Sequence, residues 1–145
     1  MPGEFPFLGE YAHALDEKGR VILPARFRER LAEGAFVTRE VDGCLAVRTP
    51  EEFTVRAAEM GEKWRGDPDE RNVARVFFAG AHEAAPDRQG RLAIPQHLRE
   101  YAGLERDVAL IGAFHHIEIW DAERWKEKKQ AGVEGMQTGG QPTHP

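Results

Sequence analysis

Short apolar runs separated by polar turns follow one another along most of the chain, and the same succession occurs twice. In each occurrence, two apolar runs flank a polar loop, a short amphipathic helix follows, and two more apolar runs come after it. The predicted strands are EYAHAL, RVIL, AFVTR and CLAVR in the first occurrence and AHEAAP, RLAI, DVALIG and HIEIW in the second. Strands combined with short helices in this way predict an α+β fold.

A proline marks the start of each short amphipathic helix. Pro24 and Pro95 are expected at the first helical position, where the missing N–H costs nothing. Gly34 and Gly103 are placed to end these helices. The buried stripe of the two helices is expected to consist of Phe27, Leu31, Leu98 and Tyr101.

Two further helices are predicted between the two occurrences. Thr49 and Asp67 are expected to cap them, because each is followed by Pro and has Glu three residues later. On the second of these helices, the core spacing falls on Val73, Val76 and Phe77. The chain from Gly132 onward is rich in Gly and polar residues, and we expect it to be disordered.

The two occurrences are related by an offset of 71 residues, which pairs LDEKGRVILPARFRE at 15–29 with PDRQGRLAIPQHLRE at 86–100. The offset indicates duplication of a unit of about 40 residues, which is too small to bury a good core alone. Two such units are expected to pack together about a pseudo-two-fold axis, with both Asp-x-x-Gly-Arg loops on one side. The expected organisation is a first repeat at 7–53, a helical connection at 54–80, a second repeat at 81–125 and a disordered tail at 132–145.

Composition limits the classes of function. The chain has 145 residues, 41% of them apolar and 31% charged, which suits a globular protein. Its formal net charge of -5 means that any site for an anion must be a local patch. Its one cysteine, Cys44, excludes an intrachain disulfide and is expected to be a small buried residue in a reducing cytosol. We recognise neither a membrane span nor a signal peptide.

The loop in each repeat has the sequence Asp-x-x-Gly-Arg. We expect residues 17–19 to close a hairpin, with Gly19 in the left-handed conformation and Asp16 opposite Arg20. A surface ion pair of this kind is worth about 0–1 kcal/mol, so it explains little of the fold. Residues 18–30 carry five cations against one carboxylate, and arginine makes bidentate contacts with phosphate and with guanine. On these residues alone, a nucleic-acid site and a plain solvated hairpin are both open.

Three stretches, GEYAHALDEKGRVILPARFRE, FFAGAHEAAPDRQGRLAIPQHLREYAGL and IEIWDAERW, closely resemble the MraZ family of bacterial transcription regulators. The resemblance extends in order from about Phe7 to about Trp125, and the paired Asp-x-x-x-Arg motifs make it specific. It implies an AbrB-like fold, in which a duplicated swapped-hairpin β-barrel unit, related to the double-psi barrels, is formed by two copies in one chain.

The resemblance also implies a function and a site. It implies a cytoplasmic, nucleoid-associated repressor of its own operon, the division and cell wall gene cluster. Such a protein binds repeated elements of double-stranded promoter DNA as a closed, octamer-like ring. By match, the motif falls on Asp16, Gly19 and Arg20 in the first repeat and on Asp87, Gly90 and Arg91 in the second. The expected DNA-binding residues are Arg20, Lys18, Arg91, Arg88 and Arg26, with no cofactor, metal or catalytic residue.

Other classes of function are weaker alternatives. An enzyme is disfavoured because no metal-binding pair, Gly-rich phosphate loop or nucleophile elbow is present. The histidines considered as ligands are His13, His82, His97, His115 and His116. An oligomeric protein–protein scaffold and an AbrB-type antitoxin are the alternatives, although two copies in one chain argue against the antitoxin. The core or a subunit interface, rather than base stacking, is expected for Trp64, Trp120 and Trp125.

Overall fold

The computed structural model describes residues 6–139 of the chain. Its strands are β1 (Phe7–Ala14), β2 (Arg20–Ile22), β3 (Ala35–Arg39), β4 (Leu45–Arg48), β5 (His82–Ala84), β6 (Arg91–Ala93), β7 (Asp107–Phe114) and β8 (Ile117–Asp121). Its α-helices are α1 (Ala25–Arg30), α2 (Pro50–Gly61), α3 (Pro68–Gly80), α4 (Gln96–Ala102) and α5 (Ala122–Gln137), and 3-10 turns cover Val41–Gly43 and Glu62–Arg65. The α+β prediction is confirmed, and every predicted strand is present, although the strand ends differ.

The strands of the two repeats are interleaved. Six of them form an antiparallel sheet in the order β1-β7-β8-β4-β3-β5, and β2 pairs with β6 in a separate two-stranded ribbon. Exchanging β1 with β5, β2 with β6, β3 with β7 and β4 with β8 reproduces the same order from the other edge. The strand pairing therefore has pseudo-two-fold symmetry, with the axis between β4 and β8 and between β2 and β6.

A shared core explains why two small repeats form one unit. Both repeats contribute fully buried side chains to a single apolar cluster, including Val21, Leu23, Leu31, Leu92, Leu98 and Ile117. Burying a Leu or Ile side chain stabilises a fold by about 1.5–3 kcal/mol. Separating the repeats would expose both halves of this cluster, so each repeat depends on the other.

The predicted hairpin at the Asp-x-x-Gly-Arg loop is wrong beyond its first residue pair. The loop itself closes as expected, because the Asp16 N–H donates to the Arg20 carbonyl at 2.9 Å and Gly19 has a φ of 75°. β2 then leaves β1, which pairs with β7, and pairs with β6 of the other repeat. The exchange sets Val21 opposite Leu92 in the core, where neither is exposed. The apolar pattern identifies a strand but not its partner.

The caps of the two helices between the repeats are as predicted. The side chains of Thr49 and Asp67 each accept a hydrogen bond from the backbone N–H three residues later, at 3.2 and 2.9 Å. In the short helices α1 and α4, Pro24 and Pro95 occupy the N-cap, one residue before the expected position. At that place proline still needs no N–H partner, so the physical reason for it is unchanged.

Only one of the two predicted helix-ending glycines ends its helix. Gly103 caps α4 in the left-handed conformation, with a φ of 66°. α1 is shorter than expected, because it ends at Arg30 with Leu31 at its C-cap, before Gly34 is reached.

Three residues predicted to be buried are largely exposed. Val73 and Val76 of α3 are 48% and 49% exposed, and Tyr101 of α4 is 41% exposed. The predicted positions Phe77 and Leu98 are buried, and Ala74 and Ala102 add to the buried stripes of α3 and α4. Apolar spacing therefore identified part of each buried face but also assigned exposed residues to it.

The predicted disordered tail is helical over part of its length. α5 continues through Gly132 to Gln137. The Asp121 side chain caps it by accepting from the Arg124 N–H at 3.1 Å, and exposed side-chain pairs along its surface add support. The lack of apolar residues correctly indicates that no buried face exists here, but a solvated helix needs none. Residues 140–145 of the expected tail lie outside the described residues.

Candidate nucleic-acid interface

Each Asp-x-x-Gly-Arg loop is organised around its aspartate. Asp16 accepts hydrogen bonds from the backbone N–H groups of Lys18 and Arg20, both at 2.9 Å, and from Nε of Arg20 at 2.7 Å. Asp87 makes the equivalent contacts in the second repeat, at 2.9, 2.9 and 2.8 Å. The two loops therefore have the same internal geometry.

These contacts keep both aspartates ionised. The backbone N–H of Arg20 lowers the pKa of Asp16 most, and the Arg20 guanidinium and the Lys18 N–H lower this pKa further. The pKa of Asp87 is lowered in the same way, first by the backbone N–H of Arg91. Since hydrogen bonds to the charged form favour that form, both carboxylates remain acceptors for their arginines at neutral pH.

Each loop arginine is fixed at one edge and open at the other. The aspartate binds Arg20 and Arg91 through Nε, and their side chains are 25% and 29% exposed. Within residues 6–139, no hydrogen bond is made by the terminal nitrogens of either guanidinium. A guanidinium held in this way presents two parallel donors, the arrangement that matches a phosphate or the O6/N7 edge of guanine.

The ribbon of β2 and β6 brings the two loops together. Its antiparallel register leaves Arg20 and Arg91 two positions apart along the ribbon. Backbone hydrogen bonds of 2.9 Å join each loop to the other repeat, from the Leu23 N–H to the Gly90 carbonyl and from the Ile94 N–H to the Gly19 carbonyl. Arg20 and Arg91 alternate with the buried Val21 and Leu92, so both lie on the outer face of the ribbon. The position of both loops on one side of the molecule stays a prediction.

The other predicted cations surround the loops. Lys18 and Arg88 are exposed at the two loop tips, and Arg26 is exposed on α1. They add positive charge close to the paired arginines of a molecule whose net charge is -5.

Sequence reasoning missed two further arginines at this site. Arg28 of α1 lies against Gly90 in the loop of the second repeat, and Arg99 of α4 lies against Gly19 in the loop of the first. The signal was present in the sequence, because the offset of 71 residues pairs Arg28 with Arg99.

The residues weighed for metal binding do not form a ligand set. Among residues 6–139, no three His, Cys, Asp or Glu side chains lie close enough together to hold an ion. His115 and His116 instead lie near single carboxylates, Glu52 at 3.8 Å and Glu118 at 3.4 Å. Cys44 is buried as predicted, and burial is the main cause that raises its pKa to about 12.

Two of the tryptophans pack against each other. Trp120 is buried, and its ring lies 6.1 Å from the ring of half-buried Trp125. Trp64 is 43% exposed beneath Arg75, so the core prediction is confirmed for Trp120 but not for Trp64. No helix in the described part of the chain is long and apolar enough to cross a bilayer.

Comparisons with known proteins agree with the internal repeat. A family model described as "MraZ protein, putative antitoxin-like" matches the chain twice, at residues 7–76 and 77–134. The chain is 48% identical over 120 residues to the transcriptional regulator MraZ of Acetivibrio thermocellus, covering 83% of this chain and 84% of the relative. The same named protein of Heliobacterium modesticaldum is 47% identical over 125 residues, with 83% and 85% covered. That of Micrococcus luteus is 48% identical over 119 residues, with 82% and 83% covered.

Proposed function

Because the chain belongs to the MraZ family of transcriptional regulators, we propose that it binds DNA in a sequence-specific way and represses its own operon. The operon implied by the resemblance is the division and cell wall gene cluster, and the target is a set of repeated elements in double-stranded promoter DNA. We further propose that it acts in the cytoplasm, at the nucleoid, without a cofactor. The paired loops, each with an arginine held at Nε by an aspartate, carry this proposal.

The fold proposed for this function is the AbrB-like swapped-hairpin barrel, with repeats at 7–53 and 81–125 and a helical connection at 54–80. The pairing of β2 with β6 supports the exchange of strands between repeats. The palindromic strand order supports the pseudo-two-fold relation. Such an exchange gives the two loops a common base, so that they can bind one face of a duplex together.

The loops divide the work of binding between base edges and phosphates. Arg20 and Arg91 present parallel donors from a two-stranded ribbon, which fits the major groove. Lys18, Arg88 and Arg26 are placed around them, where phosphates of the same duplex would lie. Arg20 contributes more than Arg91, because the first repeat has the larger local positive excess.

A single chain offers few cations, so we propose that several chains act together in a closed, octamer-like ring. Each chain that engages a successive promoter repeat raises the effective concentration for the next. Two exposed apolar features support assembly. β1 is an edge strand of the sheet with Leu8 57% exposed, and its neighbour β7 ends at Phe114, which is 53% exposed. A cavity of about 310 Å³ lies elsewhere, between the turn at residues 41–43 and α3.

That cavity has the character of a contact surface for another copy of the chain. Its lining is mainly apolar and includes Val41, Val73, Val76 and Tyr101, all largely exposed. Large exposed apolar patches mark interaction surfaces, and ring closure is one way to cover open sheet edges. We therefore propose this face, together with the β1 edge, as the assembly surface.

The experiment compares binding of a duplex from upstream of the chain's own gene with binding of a shuffled duplex at several salt concentrations. Log affinity should fall linearly with log salt, by about 0.9 for each phosphate neutralised. Arg20→Ala should cost about 1–3 kcal/mol per protomer on the promoter duplex. Lys18→Ala should weaken both duplexes equally, as loss of a phosphate contact would. Absence of salt-dependent binding to either duplex would favour the scaffold over the regulator.

A further inference from the structure

We propose that each loop is held in its DNA-binding shape by an arginine of the other repeat. Arg28 positions the loop of residues 87–91, and Arg99 positions the loop of residues 16–20. The inference rests on the proposed function, because the shape of the loops matters for binding only if the loops contact DNA. Both arginines are positioning residues, and neither has to touch the duplex.

Arg28 links its own repeat to the loop of the second repeat. Its Nε donates to the Leu23 carbonyl at 2.9 Å, and the Leu23 N–H donates to the Gly90 carbonyl at 2.9 Å. A Cβ placed on Gly90 would lie 2.5 Å from Cζ of Arg28, so the guanidinium packs directly on this glycine. Gly90 is also buried and has a φ of 80°. Glycine is therefore required here for two reasons, the positive φ of the backbone and the close approach of Arg28.

Arg99 makes the equivalent contact with the first loop. A Cβ on Gly19 would lie 2.7 Å from Cζ of Arg99, and the Ile94 N–H donates to the Gly19 carbonyl at 2.9 Å. One bond differs between the repeats. Nε of Arg99 is buried and has no hydrogen-bond partner in the described part of the chain, whereas Nε of Arg28 has one. Arg28 is therefore expected to hold its loop more firmly than Arg99 does.

Each of these arginines therefore contacts the loop of the other repeat, although in sequence it lies closer to the loop of its own repeat. Arg28 is close in sequence to Arg20, so charge counting assigns it to the first loop. The structure assigns it to the loop that carries Arg91. The two loops are then not independent, because each repeat sets the shape of the other's contact with DNA.

Double-mutant cycles on the full-length protein test this assignment through affinity for the promoter duplex. Residues that act through one another show non-additive effects, which in contacting pairs amount to roughly 2- to 100-fold. Arg28→Ala should weaken binding by the parent protein, add little to Arg91→Ala, and keep its full effect in Arg20→Ala. The mirror result is expected for Arg99→Ala, which should add little to Arg20→Ala and should have the smaller effect alone.

Two further measurements distinguish a positioning role of Arg28 from an effect of its charge and from a general loss of stability. Arg28→Lys keeps the charge but not the planar group, so it should not restore affinity. Hydrogen exchange of Arg28→Ala should rise in a peptide spanning 86–92 and stay unchanged in a peptide spanning 15–21. Should Arg28→Ala fail to fold, Arg28→Lys carries both the cycles and the exchange measurement.

The failures of the two proposals are distinguishable. Additive effects with both loop arginines, restored affinity in Arg28→Lys, or faster exchange only in 15–21 would overturn the cross-repeat assignment. Unchanged promoter binding in both Arg20→Ala and Arg91→Ala would instead overturn the proposed function. In that case the exchange measurement still decides which loop Arg28 holds.

Discussion

At the scale of single residues, the aspartates pose a physical question, because a negative charge beside DNA should weaken binding. Asp16 answers it by accepting three hydrogen bonds that set the loop backbone and fix Arg20. Orientation of a bidentate donor is worth more than the removal of one nearby charge, since a good bidentate contact with a base contributes about 1–3 kcal/mol.

Asp16→Asn therefore has opposite expected effects if Asp16 acts mainly by repelling DNA and if it acts mainly by orienting Arg20. Removal of a charge alone would tighten binding to every duplex. We expect weaker binding to the promoter duplex, because the amide loses the ionic contact with Nε of Arg20. Binding to a shuffled duplex should change little. Titration of both duplexes by fluorescence anisotropy measures the two effects, and tighter binding to the promoter would contradict the positioning role.

The loop glycines separate backbone strain from contact with the arginines. Gly90→Ala should lower stability by about 1–2 kcal/mol, because its φ of 80° is costly for any residue with a Cβ. It should also lower DNA affinity, because the new methyl group displaces Arg28. Gly103→Ala is the matched control, since φ is 66° there and no atom lies within 4 Å of the added Cβ. The melting temperature should fall for both variants, whereas the affinity for the promoter duplex should fall only for Gly90→Ala.

The sequence alone predicts the contact within the loop but not the contact of the loop with Arg28, for a physical reason. The contact of Asp16 with Arg20 is local, so the motif alone predicts it. The contact of Arg28 with Gly90 depends on how the repeats exchange strands, which no local pattern records.

At the scale of elements, a buried ion cluster ties α2 to β3 and β4. Glu40 follows β3, is 7% exposed, and binds both Arg48 of β4 and Arg56 of α2 at 2.6 Å. Burial would raise the pKa of Glu40, but hydrogen bonds from Arg56 and Arg48 outweigh it, so this pKa lies below its ordinary value of 4.5. The cluster is more than a surface pair, because breaking it leaves buried charge without compensation.

The depressed pKa of Glu40 fixes the sign of a pH effect. A carboxyl group whose pKa is lower in the folded state adds stability above its unfolded pKa, and that stability is lost as pH falls through the folded value. Glu40→Gln should cost about 3–5 kcal/mol at neutral pH and flatten the loss of stability below pH 4.5. Urea unfolding across this range measures both. Glu62→Gln, whose partner Arg65 is 81% exposed, is the control and should match the parent.

Elements were predictable where the cause is local. The caps at Thr49 and Asp67 follow from spacing that the chain satisfies by itself. The exchange of β2 between repeats cannot be predicted from local spacing, because Val21 is apolar whichever strand pairs with β2. Nor can the length of α5, since a solvated helix has no apolar period to detect.

At the scale of the whole molecule, assembly through the apolar face gives a prediction independent of DNA. Val73→Glu/Val76→Glu places two charges on exposed positions of α3, so the fold should persist while self-association is lost. Light scattering at micromolar concentration should report a smaller particle than for the parent. Glu123→Ala/Glu127→Ala on exposed positions of α5 is a control that should keep the parent's size. If the valine variant has the same particle size as the parent, the assembly surface does not include this face of α3.

The pseudo-two-fold relation and the closeness of the loops were predictable because duplication leaves a fixed offset in the sequence. The exposure of Val73 and Val76 on α3 was not predictable, although Phe77 of the same helix is buried as predicted. Their exposure depends on how much of α3 the rest of the molecule covers.

DNA binding through the two loops is tested by the affinity of a variant that lacks both loop arginines. Arg20→Ala/Arg91→Ala is compared with the parent and with Arg65→Ala/Lys126→Ala, which removes the same charge from exposed positions in other elements. All three proteins are measured at one salt concentration on promoter and shuffled duplexes, after light scattering has shown equal size. We expect the loop variant to lose promoter affinity by more than about tenfold and to lose its preference over the shuffled duplex, while the control keeps both. A loop variant that stays folded and assembled yet binds the promoter as tightly as the parent would contradict this expectation.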